Sequence, residues 1–588
     1  MQIFSSVIPA KAGIQNLPGT FDIVVIGAGG AGMAAALFAA LDGASVLLVE
    51  HTEYVGGTTA LSAGTTWVPG TQHAATVNPS DTLEAAAHYL DNAVGSRSPA
   101  ALRQAFLDKG SEAIATLESK TDVKFRPYPK HPDYISDLAG STLCGRALEP
   151  LPFDGRLLGE YFKLIRPPIP EFTVLGGMMV DRTDINHLLV MTKSWVSFKH
   201  ATKIVLRHAL DRLRYKRGTR LVMGNALVAR LLYSLTQQAK VTLALNTSVE
   251  ALSGSAVTIK QGEVEQKITA RKGVILASGG FNRHPVLREQ LLGKVQPAWC
   301  PAAPGHTGVA HDLAKSLGAS YRQHTNTQAF WAPVSLRKRA DGSTAAFPHF
   351  VMDRAKPGML TVNKDGQRFV NESTSYHLFA LAMQQTSSIP AYLICDAAAL
   401  TRYGLGMIRP GTKPMDKGLQ PFLADGYVTA GQTLAELAGK LGINAQGLET
   451  SVQQINACAE TGEDPAYGRG QTAYQQNIGD ATLGHKNPNL GALGTAPYYA
   501  VRLYPGDIGA CTGFMTSVHA EVLDGAGNPI QGLYAVGNDM SSIMGDVYPA
   551  PGITIGPSIV FGSIAARHAL HRAADPTTQA DSATHPHG

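Results

Sequence analysis

Apolar positions in the first fifty residues fall into two short unbroken runs separated by small residues. Phe21-Asp22-Ile23-Val24-Val25-Ile26 and Ser45-Val46-Leu47-Leu48-Val49 are of strand length and rich in β-branched side chains. Such runs suit parallel strands covered on both faces. Between them, residues 33–41 are alanine-rich and read as a helix. The pattern returns at the other end of the chain, where Gly532-Leu533-Tyr534-Ala535-Val536 reads as a strand and 559–570 as a helix. Val241-Thr242-Leu243-Ala244-Leu245 and Gly273-Val274-Ile275-Leu276 add strands, and an apolar helix opens at Gly224. From about 328 to 503 the regular alternation gives way to mixed sequence, with Asn363-Lys364-Asp365-Gly366 a hairpin turn between strands. The expected fold class is α/β: a Rossmann-type dinucleotide-binding domain with an inserted α+β domain. The expected division is a loose leader at 1–20, the nucleotide-binding domain at 21–327 and 504–575, the substrate domain at 328–503, and a flexible tail at 576–588.

The first strand runs straight into Gly27-Ala28-Gly29-Gly30-Ala31-Gly32, and the second ends in Glu50. Strand, G-x-G-x-x-G, helix, strand and terminal acid form the dinucleotide-binding unit. Gly27 makes the turn, Gly29 admits the backbone to a pyrophosphate, and Gly32 lets helix and strand pack closely. The helix N-terminus presents amide donors to phosphate, and Glu50 accepts from ribose hydroxyls. The motif does not choose between FAD and NAD. The glycine- and hydroxyl-rich stretch after it, with Gly57, Thr58, Thr59, Ser62, Ala63 and Gly64, brings amides to a pyrophosphate and a flavin edge and points to FAD. Ala277, Ser278 and Gly279 end a third strand in small residues of the same kind. Near the C-terminus, Gly537 and Asn538 open a loop that runs through Tyr548-Pro549-Ala550-Pro551-Gly552-Ile553-Thr554-Ile555 into the last helix. Glycine and proline make that loop rigid and allow close approach to a planar ligand.

Composition narrows the field. At 588 residues the chain is too long for one core. A net charge of +5 gives no case for nucleic-acid binding. The five cysteines, Cys144, Cys300, Cys395, Cys458 and Cys511, are scattered, so neither a disulfide framework nor a metal site is expected, and a reduced cytoplasmic setting fits. No apolar run reaches the roughly 20 residues of a spanning helix, and 1–20 is a poor signal peptide. Residues 191–220 form a basic amphipathic stretch, with Trp195, Phe198, Val205, Leu206, Ala209, Leu210 and Leu213 at helical spacing among nine lysines and arginines. Two readings fit it: a helix resting on anionic lipid, peripheral on the inner face of the membrane, or a helix packed on its own domain with a solvated basic face.

Together the early unit, the GGTTALSAGTTW segment at 56–67 and the closing YPAPGITIGP segment resemble the fumarate reductase/3-ketosteroid dehydrogenase flavoprotein family, from about 21 to 574. The YPAPGITIGP ending is similar to that of 3-ketosteroid Δ1-dehydrogenases. The resemblance implies noncovalent FAD, since no histidine of the family's covalent type is evident. It implies a 3-ketosteroid substrate and an external electron acceptor such as a quinone. It also implies roles for particular residues. Tyr548 and the Gly552 N–H would form an oxyanion hole for the C3 oxygen, and Tyr376, after the G-x-R-F-x-N-E segment at 366–372, would take the C2 proton. The C1 hydride would pass to flavin N5. The helix beginning near Thr554 would point its positive end at the flavin, while Tyr134, with Tyr128 as a rival, would support Tyr376. Three departures stand out: Ala550 where relatives often have glycine, Asp546 close before the tyrosine, and Thr307-Gly308-Val309-Ala310 where relatives commonly show Thr-Gly-Asp-Gly. Two alternatives remain. A fumarate-reductase-like enzyme would need a cationic carboxylate clamp, for which Arg402, Arg409 and Arg502 are available without a recognisable motif. The other is a flavin electron-transfer protein without catalysis.

Overall fold

The computed structural model describes residues 7–8 and 17–571, apart from 352 and 415. A nine-stranded sheet carries the nucleotide-binding half. Strands Val241–Ala244, Val46–Val49, Thr20–Ile26 and Val264–Leu276 lie side by side in parallel, and Pro529–Ala535 joins the last of them, also in parallel. Where they pair in parallel, Ile23–Ile26, Val46–Val49, Val274–Leu276 and Leu533–Ala535 are buried throughout, as in a sheet covered on both faces. Val264–Leu276 is 13 residues long and, besides Thr20–Ile26, serves two further neighbours. Its first half pairs antiparallel with Ala256–Gln261, and its last three residues pair with 533–535. Helix Gly30–Leu41 packs between the sheet and the C-terminal helix Ile555–His571. At Gly32 any Cβ would overlap the Gly27 carbonyl, so the helix meets the strand backbone to backbone.

The second sheet has six strands. Ala329–Lys338 and the 13-residue Tyr498–Ala510 form its centre, with Thr344–Pro348, Ala391–Cys395, Met359–Val362 and Val428–Gly431 around them. Tyr498–Ala510 pairs through 504–510 with one group and through 498–503 with the other, so it straddles the expected boundary at 503–504. Helix Tyr376–Gln385 lies against Ala329–Lys338.

One expectation needs correction. The leader is not wholly outside the fold. Val7–Ile8 adds a parallel edge strand beside Leu243 and Ala244, Leu17 is buried, and strand Thr20–Ile26 starts within it. An open sheet edge is a template for pairing, and a short β-branched segment satisfies it. The rest of 1–16, and the tail at 576–588, lie outside the described residues. The basic stretch forms helix Trp195–Asp211. Ser197, Ala201, Ile204, His208 and Asp211 face inward, while Trp195, Val196, Phe198, Leu206, Leu210 and the following Leu213 are exposed. Among the described residues no helix is long and apolar enough to cross a membrane.

Candidate active site

One continuous cavity of about 340 Å³ runs between the two sheets. At one end it is lined by Gly27, Gly29, Gly30, Ala31, Glu50, Gly57, Thr58, Thr59, Ser62, Ala63, Gly64, Ala277, Ser278, Gly279, Gly537, Asn538, Thr554 and Ile555. Gly32 is not on this wall; it makes the helix–strand contact instead. The wall fits a dinucleotide. A Cβ on Gly29 would meet no protein atom and would project into open space, so the glycine leaves room for a ligand. One Glu50 oxygen accepts from the Ala28 N–H at 2.9 Å, and the other accepts from Thr52 N and Oγ1. The carboxylate is thus held rigid with lone pairs to spare. His306 Nδ1 and Arg166 Nε on the same wall are buried without partners. Burial drives the His306 imidazole down to about 4, so it is neutral, and its Nε2 lies 3.1 Å from Thr58 Oγ1. Asp539 orders the 278–280 turn by accepting from Gly280 N and Ser278 Oγ at 2.9 and 3.0 Å. The departure at 307–310 is absorbed upstream, where Ala302, Ala303, Gly305 and His306 line the cavity while Gly308 caps a helix.

At the other end stand Tyr134, Tyr376 and Tyr548, with Gly552, Ile169, Phe330, Pro348, Phe350, Val351, Ile508 and Pro551. The Tyr134 hydroxyl donates to the Tyr376 oxygen at 3.2 Å. Tyr548 stacks on Tyr134 at 5.8 Å between centroids and meets Tyr376 edge-on at 5.3 Å. Its hydroxyl lies against those of Tyr376 and Thr554. Tyr128, the rival, points elsewhere: it meets Thr65 and stacks edge-on with His131 at 4.8 Å. Burial pushes Tyr134 and Tyr376 well above the ordinary phenol value, and neighbouring phenols add to the shift. Tyr376 is the first residue of its helix, capped by Ser375, so the positive end of the helix favours its anion by about 0.3–1 kcal/mol.

Contacts between residues far apart in sequence hold this geometry. The Pro549 carbonyl accepts from Tyr134 N at 2.7 Å and from the Tyr89 hydroxyl at 2.5 Å, fastening the Tyr-Pro-Ala-Pro-Gly loop to the 134 segment. Asp133 is fixed by Trp67 Nε1, Arg146 Nη1 and Thr142 N at 2.9, 3.0 and 3.1 Å. His377 accepts from Trp331 N through Nδ1 and so donates through Nε2 to the Asp546 carbonyl, two residues before Tyr548. Burial keeps that imidazole neutral, at about 4. Asp546 itself accepts from Asn326 N and pairs with Arg97, away from the cavity. Gly552 has φ of 87°, and a Cβ there would run into the Thr65 carbonyl, so the loop closes on the flavin-side wall only with glycine. Ala550 is fully buried and does not line the cavity.

The 366–372 segment does not line the cavity. Arg368 and Glu372 pair with each other and with Asp464 and Arg469, anchoring the chain that leads to Tyr376. Arg402 pairs with Asp480, Arg409 donates to the Thr173 carbonyl and Arg502 sits in the central strand opposite Tyr392; none lines the cavity, whose one arginine is Arg166 near Glu50. Sequence reading missed His131, Arg166, His306, Phe330 and Phe350 on the wall. His131, three residues before Tyr134, was within reach of the motif already singled out; the others lie in loops and strands without a local signal.

The family profile described as an FAD binding domain matches residues 22–555. The chain is 37% identical over 565 residues to a 4-oxocyclohex-2-ene-1-carboxylate 5-dehydrogenase of Sinomonas cyclohexanicum, covering 94% of each protein. It is 35% identical to a 3-oxosteroid 1-dehydrogenase of Mycobacterium tuberculosis, over 94% of this chain and 99% of that one. Among solved structures, a 3-ketosteroid Δ1-dehydrogenase of Sterolibacterium denitrificans in complex with 1,4-androstadiene-3,17-dione superposes with a TM-score of 0.87 at 32% identity, covering 94% of this chain and all of that one.

Proposed function

The chain belongs to the FAD binding domain family, as a flavoprotein oxidoreductase with FAD as its cofactor, and we propose that it dehydrogenates a 3-ketosteroid between C1 and C2. The observation that carries this reading is the gathering of Tyr134, Tyr376, Tyr548 and Gly552 at one end of a cavity whose other end is the dinucleotide wall. Likeness to the 3-oxosteroid 1-dehydrogenases supports it. The Tyr548 hydroxyl and the Gly552 N–H donate to the substrate carbonyl, where negative charge develops as the neighbouring carbon loses its proton. Tyr376 takes that proton. Tyr134 donates to the Tyr376 oxygen and so holds it in place toward the substrate. The apolar wall of Ile169, Phe330, Phe350 and Val351 excludes water and fits a ring system. FAD, when bound, supplies the hydride acceptor. Anaerobic mixing with 4-androstene-3,17-dione tests the reading: the yellow flavin band bleaches within seconds, and a band left unchanged by any ring ketone sinks it.

Finer points belong to the same reading. We infer that FAD is held noncovalently, so acid precipitation leaves a yellow supernatant; a yellow pellet would contradict this. The acceptor is external, of the quinone type. In our division of labour, 21–327 and 504–575 hold the cofactor and 328–503 covers the substrate. Helix Trp195–Asp211 would rest on the inner face of an anionic membrane. Supporting this, its outer stripe of Trp195, Val196, Phe198, Leu206 and Leu210 is exposed beside Lys193, Lys199, Lys203, Arg212 and Arg214.

A further inference from the structure

The substrate end of the cavity is apolar except at two points. Leaving aside the three tyrosines and the cofactor wall, its side chains are Ile169, Phe330, Pro348, Phe350, Val351, Ile508 and Pro551, with Thr65, whose hydroxyl is taken up by Tyr128, and His131. His131 is the one with hydrogen-bonding nitrogens. Its Nδ1 is buried with no partner, while its backbone N–H is already spent on the Leu143 carbonyl. The ring packs edge-on against Tyr128 rather than against Tyr134, Tyr376 or Tyr548, so it stands apart from the carbonyl-binding group. Burial and the nearby Arg182 charge push its pKa down to about 4, which leaves a neutral imidazole with one donor and one acceptor. An unpaired polar group in an apolar pocket costs free energy, and the cost is recovered when a ligand supplies the missing partner.

We propose that His131 is a specificity-determining residue that donates a hydrogen bond to a second oxygen of the substrate, away from the ketone held by Tyr548. The ligand chemistry is therefore a ring ketone carrying another hydrogen-bond-accepting oxygen, either a further ketone on a fused ring system or a carboxylate on the same ring. The inference rests on the ring-ketone reading above and sharpens it, because the tyrosines alone would accept any ring ketone that fits.

Two matched substrate pairs test it on the FAD-loaded enzyme: androst-4-ene-3,17-dione against androst-4-en-3-one, and 4-oxocyclohexanecarboxylate against 4-methylcyclohexanone. In wild type the oxygenated member of one pair is favoured about tenfold in kcat/KM, the scale of one hydrogen bond. His131→Phe brings that ratio to within about twofold of unity, and His131→Gln, which keeps an amide donor, gives an intermediate ratio. The pair that responds identifies the oxygen source. A ratio equal in wild type and both variants, or no preference in either pair, overturns the assignment. Flavin absorbance reports folding of each variant, and if the Phe variant does not load, an unchanged ratio in the Gln variant still overturns it. Turnover with a preference independent of His131 defeats this inference alone, whereas no bleaching by any of the four ketones defeats the ring-ketone reading beneath it.

Discussion

At the scale of single residues, the tyrosine cluster makes the sharpest claims. Tyr376→Phe and Tyr548→Phe each lower turnover at least a hundredfold with flavin still bound, since losing a positioned base costs about 10²–10⁴ and losing one oxyanion donor about 10²–10³ in rate. Steady-state kinetics on flavin-loaded variants with near-normal turnover would overturn the roles. Burial holds the Tyr376 phenol well above its ordinary value, and the reactive form is the phenolate. As pH rises toward that pKa the phenolate fraction grows, so kcat/KM increases from pH 6 to 9. A flat profile over that range would rule out Tyr376 as the base. At Gly29 the missing side chain leaves room for the ligand and not for the protein, since a Cβ there touches nothing. Gly29→Val should therefore fold, with normal circular dichroism, but purify colourless.

Among elements, the Tyr548–Gly552 loop depends on partners distant in sequence. Pro549 is held by Tyr89 and Tyr134, and Asp546 by His377 and Asn326. The six-stranded sheet carries a comparable device in the buried run Tyr427–Ser335–His349–Asp353, with spacings of 2.8, 2.8 and 2.6 Å. Burial alone would raise the Asp353 carboxyl, but His349 and the Arg354 and Gly406 amides bring it down to about 2. A depressed carboxylate contributes stability that is present above pH 4 and lost as pH falls toward 2. Asp353→Asn leaves the pair broken in the interior and costs about 3 kcal/mol in denaturant unfolding; a loss under about 1 kcal/mol would show that the pair is not structural. The helices and strands flanking these loops were legible because their apolar periods are local. The loops' anchors were not, since neither Tyr89 nor His377 carries a local mark of what it will touch.

Over the whole molecule, the exposed stripe on Trp195–Asp211 gives a surface prediction. The full chain should sediment with anionic vesicles and not with neutral ones, and Trp195→Glu with Leu210→Glu should abolish the binding without changing turnover of a soluble ketone. Equal sedimentation with both vesicle types, or with the variant, would exclude the helix as the contact. Helical spacing in 191–220 identified an amphipathic helix, yet it could not say which face turned inward. The protein interior took Ala201 and Ile204 with His208 and Asp211, and left the larger apolar side chains outside.

The sequence by itself determined the dinucleotide unit, because strand, glycine turn, helix and acid lie within thirty residues and each part works through its immediate neighbours. Resemblance added the rest of the family frame, including Tyr376, Tyr548 and Tyr134. Only the tertiary structure decided which tyrosine of the 128–134 loop meets Tyr376, that the 366–372 segment anchors rather than lines the cavity, and that His131 reaches a largely apolar wall with Nδ1 unpaired. Those are facts about residues from nearly one hundred to more than two hundred positions apart. Side-chain direction and burial follow from packing between the two sheets, and packing leaves no periodic trace along the chain.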